Sequence, residues 1–440
     1  MRYLPFRVRC RRTVSALAAL VLLTCSRLPA QNIDKIVNPA TVENVEKILS
    51  SDDMRGRATF TPDIERAADF IETQFKEAGL KTWNGSASYR QPFALVRTKL
   101  LSVTGELDGN VPAEGTIAVF STDAHVEMNE LSGYEKDFIK AGDNLISVAF
   151  KYISQGDKDR LVLVDTSFSK MFPRLTGFGR QQFRPGKNTI FVLTTINPEH
   201  YSIKAEQEVK ESKLANVVGI LPGKSRKNEY VIFSAHYDHL GVGKPDSKGD
   251  SIYNGANDDA SGSTAVILLA KYFGKLKNNE RTLIFATFTA EEIGEYGSQF
   301  FSHQFDPATV SAMFNIEMIG TESKWGTNSA FITGYERTDM GKILEKNLTG
   351  SQFAFYPDPY PNQQLFYRSD NATLARQGVP AHTISTSKMD SEKYYHTQGD
   401  EIGTLDMKNM AEIIKAIALS SRSIIAGTDT PSRVDTSQLR

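Results

Sequence analysis

The sequence predicts an α/β protein of three layers, in which helices cover both faces of a mixed, mostly parallel central sheet and a smaller β-rich domain is inserted. After residue 215, continuous apolar runs of strand length alternate with helix-length segments, which is typical of strands buried on both faces. Residues 100–195 instead contain short alternating runs bounded by Gly, Asp and Pro turns. We therefore assign residues 31–99 and 196–427 to the main domain and 100–195 to the insertion.

The first thirty residues have the layout of a secretory signal peptide. Five arginines between positions 2 and 12 precede an apolar run over residues 14–24. These eleven residues are fewer than the roughly 20 that span a bilayer, which argues against a transmembrane anchor. We expect cleavage near Ala30 and export to the periplasm or the medium. A lipid anchor at Cys25 is the alternative, because a cysteine follows the apolar run.

Charge and cysteine content limit the partners of the mature chain. Removal of residues 1–30 takes away six arginines and no acids, so the net charge falls from −1 to −7. An acidic chain has no electrostatic reason to bind a phosphate backbone, so we expect no nucleic-acid partner. Both cysteines, Cys10 and Cys25, lie in the predicted signal peptide. The mature chain should therefore lack disulfides, and any metal ligands must be His, Asp or Glu.

The elements follow from periodicity. Apolar residues at helical spacing predict two helices between residues 39 and 80, joined by a polar loop at 51–57 that we interpret as a connection. In the insertion, strand-like runs cover 116–120, 145–150, 161–164 and 189–193. In the main domain, strands are predicted near 217–221, 231–235, 282–289, 313–319 and 382–385, and helices near 261–276, 297–303, 339–348 and 407–425. The polar residues 428–440 are expected to form a loose tail.

The segment His236-Tyr237-Asp238 follows the predicted strand 231–235. Its imidazole and carboxylate are two residues apart, so on an extended chain both point to the same face. A metal-bound histidine usually donates its second ring N–H to a carboxylate, a role that Asp238 suits. In isolation, a hydrogen-bonded structural histidine is the simpler explanation of this pair.

Two acids, Asp258 and Asp259, stand side by side in a Gly-flanked turn just before the predicted helix at 261–276. One acid would suffice to cap the helix by accepting backbone N–H bonds. A second acid adds like-charge repulsion unless a cation neutralises it. The pair therefore favours a metal ligand over a cap.

Glu291 and Glu292 form a second acidic pair at the end of an apolar strand, where two unpaired carboxylates would be costly. One carboxylate could bind metal while the other acts as general base toward water. Glu317 also ends an apolar run, and His396 lies in a polar segment. The candidate ligands are thus all nitrogen or oxygen donors suited to two zinc ions bridged by a carboxylate: His236, Asp258, Glu292, Glu317 and His396.

In their order along the chain, these segments resemble the M28 family of metallopeptidases, which includes aminopeptidases with co-catalytic zinc. The motifs that carry the resemblance lie at 234–239, 255–262, 289–294, 315–320 and 395–397. The resemblance covers most of the mature chain and implies a zinc-exopeptidase fold. The insertion, through residues 156–164, loosely resembles the protease-associated domain of many relatives.

The resemblance also implies a role for each residue. His236 and Glu317 would bind one zinc ion, Glu292 and His396 the other, and Asp258 would bridge the two. Glu291 would be the base and proton shuttle, and Asp238 would orient His236. Supporting positions would be Asp259, Asp400 and residues 369–371. Better-known aminopeptidases of the family often have Asp where this chain has Glu317, and the additional methylene could shift that carboxylate or weaken that metal site.

The other histidines receive structural interpretations. His125, His200 and His303 are expected at the surface or in structural roles, and His382 in the core. His239 is expected to have a loop role, with a pocket-lining role as the alternative. The aromatic and proline-rich segment 353–367 suits either a rigid surface or a wall that determines specificity.

The leading hypothesis is an exported zinc aminopeptidase that acts on peptides, with Glu291 as the base. A carboxypeptidase or a glutaminyl cyclase built on the same site is the first alternative. A binding relative without catalysis is the second.

Overall fold

The computed structural model describes Met1 and residues 30–154, 158–176, 181–184 and 186–439. The predicted signal peptide, with Cys10 and Cys25, therefore lies outside the described residues apart from its two ends. Within the described residues, every helix is too short or too polar to cross a bilayer.

The helices are α1 (Ala30–Ile36), α2 (Pro39–Leu49), α3 (Pro62–Glu77), α4 (Leu145–Ser154), α5 (Pro173–Thr176), α6 (Ser261–Leu276), α7 (Tyr296–Ser302), α8 (Met340–Leu348), α9 (Asn371–Ala375), α10 (Met407–Ser420) and α11 (Arg422–Ile425). The strands are β1 (Lys81–Thr82), β2 (Arg90–Leu107), β3 (Ile117–Phe120), β4 (His125–Asn129), β5 (Glu135–Ile139), β6 (Arg160–Val164), β7 (Gln182–Phe183), β8 (Thr189–Leu193), β9 (Tyr201–Leu221), β10 (Arg226–His236), β11 (Gly241–Val242), β12 (Ile252–Tyr253), β13 (Arg281–Phe288), β14 (Val310–Ile316), β15 (Ser329–Ile332), β16 (Ala354–Pro357) and β17 (Ala381–Ser385).

A large mixed sheet forms the centre of the main domain, with strand order β16-β15-β17-β14-β10-β13-β9-β2-β7. Its four central strands, β17, β14, β10 and β13, run parallel to one another. The pairs toward either edge are largely antiparallel, so the parallel character is confined mostly to the centre. Parallel neighbours bring their carboxyl ends to one edge of the sheet, which positions the loops that follow them close together.

Helices cover both faces of this sheet. In β10, Val231 and Phe233 point into a core shared with α2, α3, α6 and α10, whereas Ile232 points into a second core shared with α7 and α9. Phe233 stacks on Phe285 and Phe314 of the neighbouring strands, with ring centroids 5.6 and 5.0 Å apart. Because these strands are buried on both faces, they read as continuous apolar runs. The predicted three-layer α/β fold is confirmed.

Two long strands connect the main domain to the inserted region. β2 and β9 pair antiparallel from Arg90↔Val217 to Leu107↔Tyr201. The predicted start of the insertion at residue 100 therefore falls within strand β2. One end of this ribbon belongs to the central sheet, and the other packs against a second sheet of order β3-β8-β6-β5. Helices α4 and α5 cover the opposite face of that second sheet.

The strand predicted at 145–150 is wrong, because these residues belong to helix α4. Asn144 begins the helix: its side chain accepts a hydrogen bond from the N–H of Ser147, 3.1 Å away. Leu145 and Ala149, four residues apart, are buried against the second sheet. The same apolar residues therefore follow a helical period once the cap is taken into account.

The tail is not loose, contrary to expectation. Arg281, at the start of β13, donates hydrogen bonds to the carbonyl of Asp429 and to the side chain of Thr430. Val434 is buried, and its N–H bonds to the carbonyl of Gly378. Backbone groups of the tail thus find partners on the main domain that its polar composition does not reveal.

His382 lies in the core, as predicted. Its Nδ1 bonds to the carbonyl of Thr333 at 2.8 Å, and its Nε2 lies 2.8 Å from the Thr338 hydroxyl. His125, His200 and His303 are exposed. The first two pair with Glu206 and Glu130, so they are surface groups as predicted.

Stability below neutral pH tests the buried state of His382. Burial lowers its pKa to about 4, whereas an imidazole in an unfolded chain has a pKa of about 6.5. Between these values the unfolded state binds more protons, so the free energy of unfolding falls as the pH falls, by roughly 3 kcal/mol over the whole window. We expect His382→Gln to reduce this dependence in denaturant titrations across that range. His303→Gln is the control for a substitution outside the core, and equal slopes for His382→Gln and wild type would contradict the assignment.

Candidate metal centre

The predicted ligands meet at the carboxyl edge of the parallel strands. His236 is the last residue of β10, Glu317 follows β14, and Glu292 lies in the loop after β13. Asp258 lies in the turn that precedes α6, and His396 lies in the loop after β17. Residues distant in sequence therefore share one site because their strands are neighbours in the sheet.

One cluster consists of His236, Asp258 and Glu317, whose donor atoms lie within 4.8 Å of one another. The Nε2 atom of His236 is 3.2 Å from Asp258 Oδ1. Both His236 Nε2 and Glu317 Oε2 are buried without a hydrogen-bond partner among the described residues. Buried polar atoms without partners are costly, and a cation between them would satisfy both.

A second cluster lies on the other side of Asp258. His396 Nε2 is 3.2 Å from Asp258 Oδ2 and 3.2 Å from Glu292 Oε2. A tetrahedral zinc site with bonds of about 2.0–2.1 Å has edges of about 3.3 Å, close to these separations. The two oxygens of Asp258 thus face separate clusters, which is the arrangement of a bridging carboxylate. These nitrogen and oxygen donors fit two zinc ions.

The charges and burial of the centre shift the pKa values of its acids. Burial opposes ionisation of Asp258, but the adjacent His236 and His396 imidazoles outweigh it and lower the pKa of this carboxyl. The pKa of Glu317 shifts the other way, because burial raises it to about 7. A divalent cation beside Glu317 would favour its carboxylate form.

Glu291 lies at the edge of the first cluster, with Oε2 4.0 Å from His236 Nε2. Glu291 is the predicted base. Its side chain is 12% exposed, so solvent can still reach it. Burial raises its pKa well above the ordinary value, and the charges of Glu317 and Asp370 add to the effect. Its position beside the ligands, rather than among them, suits proton transfer.

Asp238 is fully buried, and its side chain contacts backbone N–H groups of the site. Its carboxylate accepts the N–H of Glu291 at 3.1 Å and that of Glu292 at 3.4 Å. The Nδ1 of His236 bonds to the main-chain carbonyl of Asp238 at 3.1 Å, while the carboxylate is 3.8 Å away. Asp238 therefore holds His236 through its carbonyl and the Glu291-Glu292 turn through its side chain.

The two acids of the turn before α6 have different environments. Asp258 faces the clusters, while Asp259 accepts the N–H groups of Gly262 at 3.0 Å and Met318 at 3.1 Å. The peptide bond between the two acids is cis. The two interpretations of this pair thus apply to different residues: the helix start uses Asp259, and Asp258 is free for metal.

The other supporting positions also brace the site. Asp400 accepts the N–H groups of Asn257 at 2.8 Å and Asp258 at 3.0 Å. Ser369 accepts a hydrogen bond from Asn315 at 2.7 Å. Burial raises the pKa of Asp370 to about 8. In the segment 353–367, Leu365 lines a cavity beside Glu317, so this part of the segment reaches the site.

His239 lies inside the centre, which agrees with the alternative of a pocket-lining role and not with the expected loop role. Its Nδ1 is 2.7 Å from Glu292 Oε1, and its donor atom groups with those of Asp258 and Glu292. A separation of 2.7 Å is that of a hydrogen bond and is shorter than a ligand edge. His239 therefore directs the other oxygen of Glu292 toward His396. The signal in the sequence was its position three residues after His236.

Comparison with known proteins finds relatives of the part of the chain that carries the metal centre. Residues 216–420 match the model of Peptidase family M28. A probable leucine aminopeptidase from Arthroderma otae is 28% identical over 227 residues, which cover 49% of this chain and 58% of that protein. Leucine aminopeptidase 1 from Ajellomyces capsulatus is 27% identical over 219 residues, covering 46% of this chain and 53% of that protein. The chain thus spans little more than half the length of these relatives.

Two solved structures share the fold. An aminopeptidase from Aneurinibacillus sp. strain AM-1 has a TM-score of 0.53 at 18% identity, over 90% of this chain and 95% of its own. A zinc aminopeptidase from Bacillus subtilis has a TM-score of 0.53 at 13% identity, over 90% of this chain and 98% of its own. At these identities the likeness is one of fold.

Replacing Asp400 tests how the Asp258 turn is held. Asp400→Ala leaves two buried N–H groups without their acceptor, which should cost about 1–3 kcal/mol of stability and weaken zinc binding. Asp406→Ala is the matched control, because Asp406 also accepts two N–H groups, at the start of α10, without contacting a ligand. Thermal unfolding and zinc titration check both variants. Equal zinc affinity in Asp400→Ala and Asp406→Ala would contradict this role.

Proposed function

Through residues 216–420 the chain belongs to peptidase family M28, and on this premise we propose that it is an exported zinc-dependent aminopeptidase that removes N-terminal residues from peptides. The observation that carries the proposal is the position of Glu291, 4.0 Å from His236 and beside two clusters that share Asp258. A general base next to a pair of divalent cation sites is an arrangement with which two-metal aminopeptidases hydrolyse amide bonds.

The residues divide the work as follows. His236, Asp258 and Glu317 would hold one zinc ion, and Asp258, Glu292 and His396 the other. When bound, zinc supplies Lewis acidity toward the scissile carbonyl and lowers the pKa of water. Glu291 takes a proton from the attacking water at its carboxylate and delivers it to the amine nitrogen of the leaving peptide. Asp238 holds Glu291 for this transfer through the Glu291 N–H.

The binding surface supports an apolar N-terminal residue in the substrate. A cavity of about 40 Å³ adjoins Glu317. Five of the eleven residues that line it are apolar or aromatic, and the other six are polar or charged; the five are Met318, Phe331, Leu365, Met389 and Tyr395. The curated relatives are named leucine aminopeptidases, which accords with a substrate side chain of this kind.

Replacing the base separates chemistry from metal binding. Glu291→Ala should retain the fold and bound zinc but lower kcat by at least about 10²–10⁴-fold, because it removes only proton transfer. Asp258→Asn should instead lower the zinc content, since it weakens the group shared by both clusters. Elemental analysis and hydrolysis of a leucine anilide check the two variants together. Activity of Glu291→Ala near that of wild type would exclude Glu291 as the base.

A substrate panel tests the reaction class. We expect cleavage of dipeptides with a free amino terminus, no cleavage once that amine is acetylated, and loss of activity on chelation with recovery on adding zinc. Cleavage of the acetylated dipeptides would favour a carboxypeptidase. Cyclisation of peptides that begin with glutamine would favour a glutaminyl cyclase. Wild-type protein that binds zinc without any turnover would favour a binding relative.

A further inference from the structure

The loop at 51–57, interpreted above as a connection, reaches the metal centre through Arg57. This side chain is completely buried, which is unusual for a charged residue. The backbone around it is in the left-handed region, with φ of 47° at Arg55, 67° at Gly56 and 49° at Arg57. A Cβ at Gly56 would lie 2.5 Å from the carbonyl oxygen of Tyr253, so the chain is pressed against its neighbours at this point.

The guanidinium of Arg57 hydrogen-bonds to main-chain carbonyls. Nε donates to Tyr237 at 2.9 Å, Nη1 to Leu49 and Asn254 at 2.6 Å each, and Nη2 to Gly255 at 3.0 Å. Tyr237 stands between His236 and Asp238, and Gly255 begins the turn that contains Asp258. One side chain therefore ties together two backbone segments that carry ligands of the centre.

The residues after Arg57 add contacts to the same segment. The carbonyl of Arg57 accepts the N–H of His239 at 3.3 Å. The Thr59 hydroxyl donates to Asp238 Oδ2 at 2.9 Å, and that carboxylate also holds the Glu291-Glu292 turn. Residues 57–59 thus contact the backbone or side chains next to His236, Asp258 and Glu292 without touching a donor atom of either cluster.

A guanidinium suits this position better than an ammonium group. Its donors lie in a rigid plane and serve four carbonyls in different directions, whereas lysine has three donors on one nitrogen. Burial lowers the pKa of Arg57, and the charges of Glu46, Asp400 and Asp238 oppose that shift. The nearby carboxyl groups therefore help to keep Arg57 charged.

We propose that Arg57 is a positioning residue of the metal centre: it fixes the spacing between the His236 segment and the Asp258 turn, and Thr59 extends this brace to Asp238. The proposal rests on the metal centre described under the proposed function, but it does not depend on which peptide bond is cleaved. Groups that orient metal ligands typically change affinity by 10–100-fold when they are replaced.

Arg281 provides the matched control. It is also buried, and it donates to the carbonyls of Ile424 at 2.7 Å and Asp429 at 2.8 Å and to Glu229 at 2.7 Å. It begins β13, at the edge of the sheet opposite the ligands. Its loss should destabilise the fold without changing the metal centre.

The experiment compares Arg57→Lys and Arg281→Lys in the full chain, measuring zinc affinity by competition with a chromophoric chelator and thermal unfolding in the absence of zinc. Both variants should unfold at lower temperature than wild type. Only Arg57→Lys should raise the zinc Kd, by roughly 10–100-fold. A Kd for Arg57→Lys equal to that of Arg281→Lys would overturn the proposal.

If Arg57→Lys does not fold, substitutions of Thr59 test the proposal instead. Thr59→Val removes the hydroxyl that bonds to Asp238, and Thr59→Ser keeps it. A higher zinc Kd for Thr59→Val alone supports the brace, and an unchanged Kd overturns it. Wild-type protein that binds zinc but cleaves nothing would refute the peptidase proposal while leaving these affinity comparisons valid, whereas wild-type protein without zinc affinity would refute both.

Discussion

The carboxylate of Asp258 is the group on which the rest of the site depends. Its two oxygens lie 3.2 Å from His236 on one side and 3.2 Å from His396 on the other, and each histidine stands beside a further acid, Glu317 or Glu292. Several acids this close together in a water-poor site repel one another and lose hydration. Divalent cations on both sides of Asp258 would remove that penalty, and metal binding would then be coupled to the folding of these loops.

The fold supplies the positions, and buried hydrogen bonds supply the accuracy. Parallel central strands bring His236, Glu292 and Glu317 to one edge of the sheet. Around them, Asp238, Asp259, Asp400 and Arg57 bond to main-chain N–H or C=O groups of the ligand loops, not to the donor atoms. In the proposed metal centre, such bonds would fix the loop spacing and leave the donor atoms free for cations. The shell of supporting groups is therefore as much a part of the centre as the ligands.

Local signals in the sequence predicted the central sheet and the side chains that meet at its carboxyl edge, because acids and imidazoles at the ends of apolar runs are conspicuous. Contacts between distant segments left no comparable signal. Arg57 bonds to a carbonyl 180 residues away, and the tail finds its partners on β13 and near Gly378. The long strands β2 and β9 carry charged residues and pair across the insertion, so short apolar runs in the sequence do not reveal their full length. The short apolar run of helix α4 also fits a strand, and only the Asn144 cap distinguishes the two.

The most direct test of this account is anomalous X-ray diffraction at the zinc edge from crystals of the wild-type chain grown with zinc. We expect two peaks, one on each side of the Asp258 carboxylate and about 3.5–4 Å apart, with His236 and Glu317 next to one and Glu292 and His396 next to the other. Zinc bound elsewhere, or no peak beside Asp258, would contradict it.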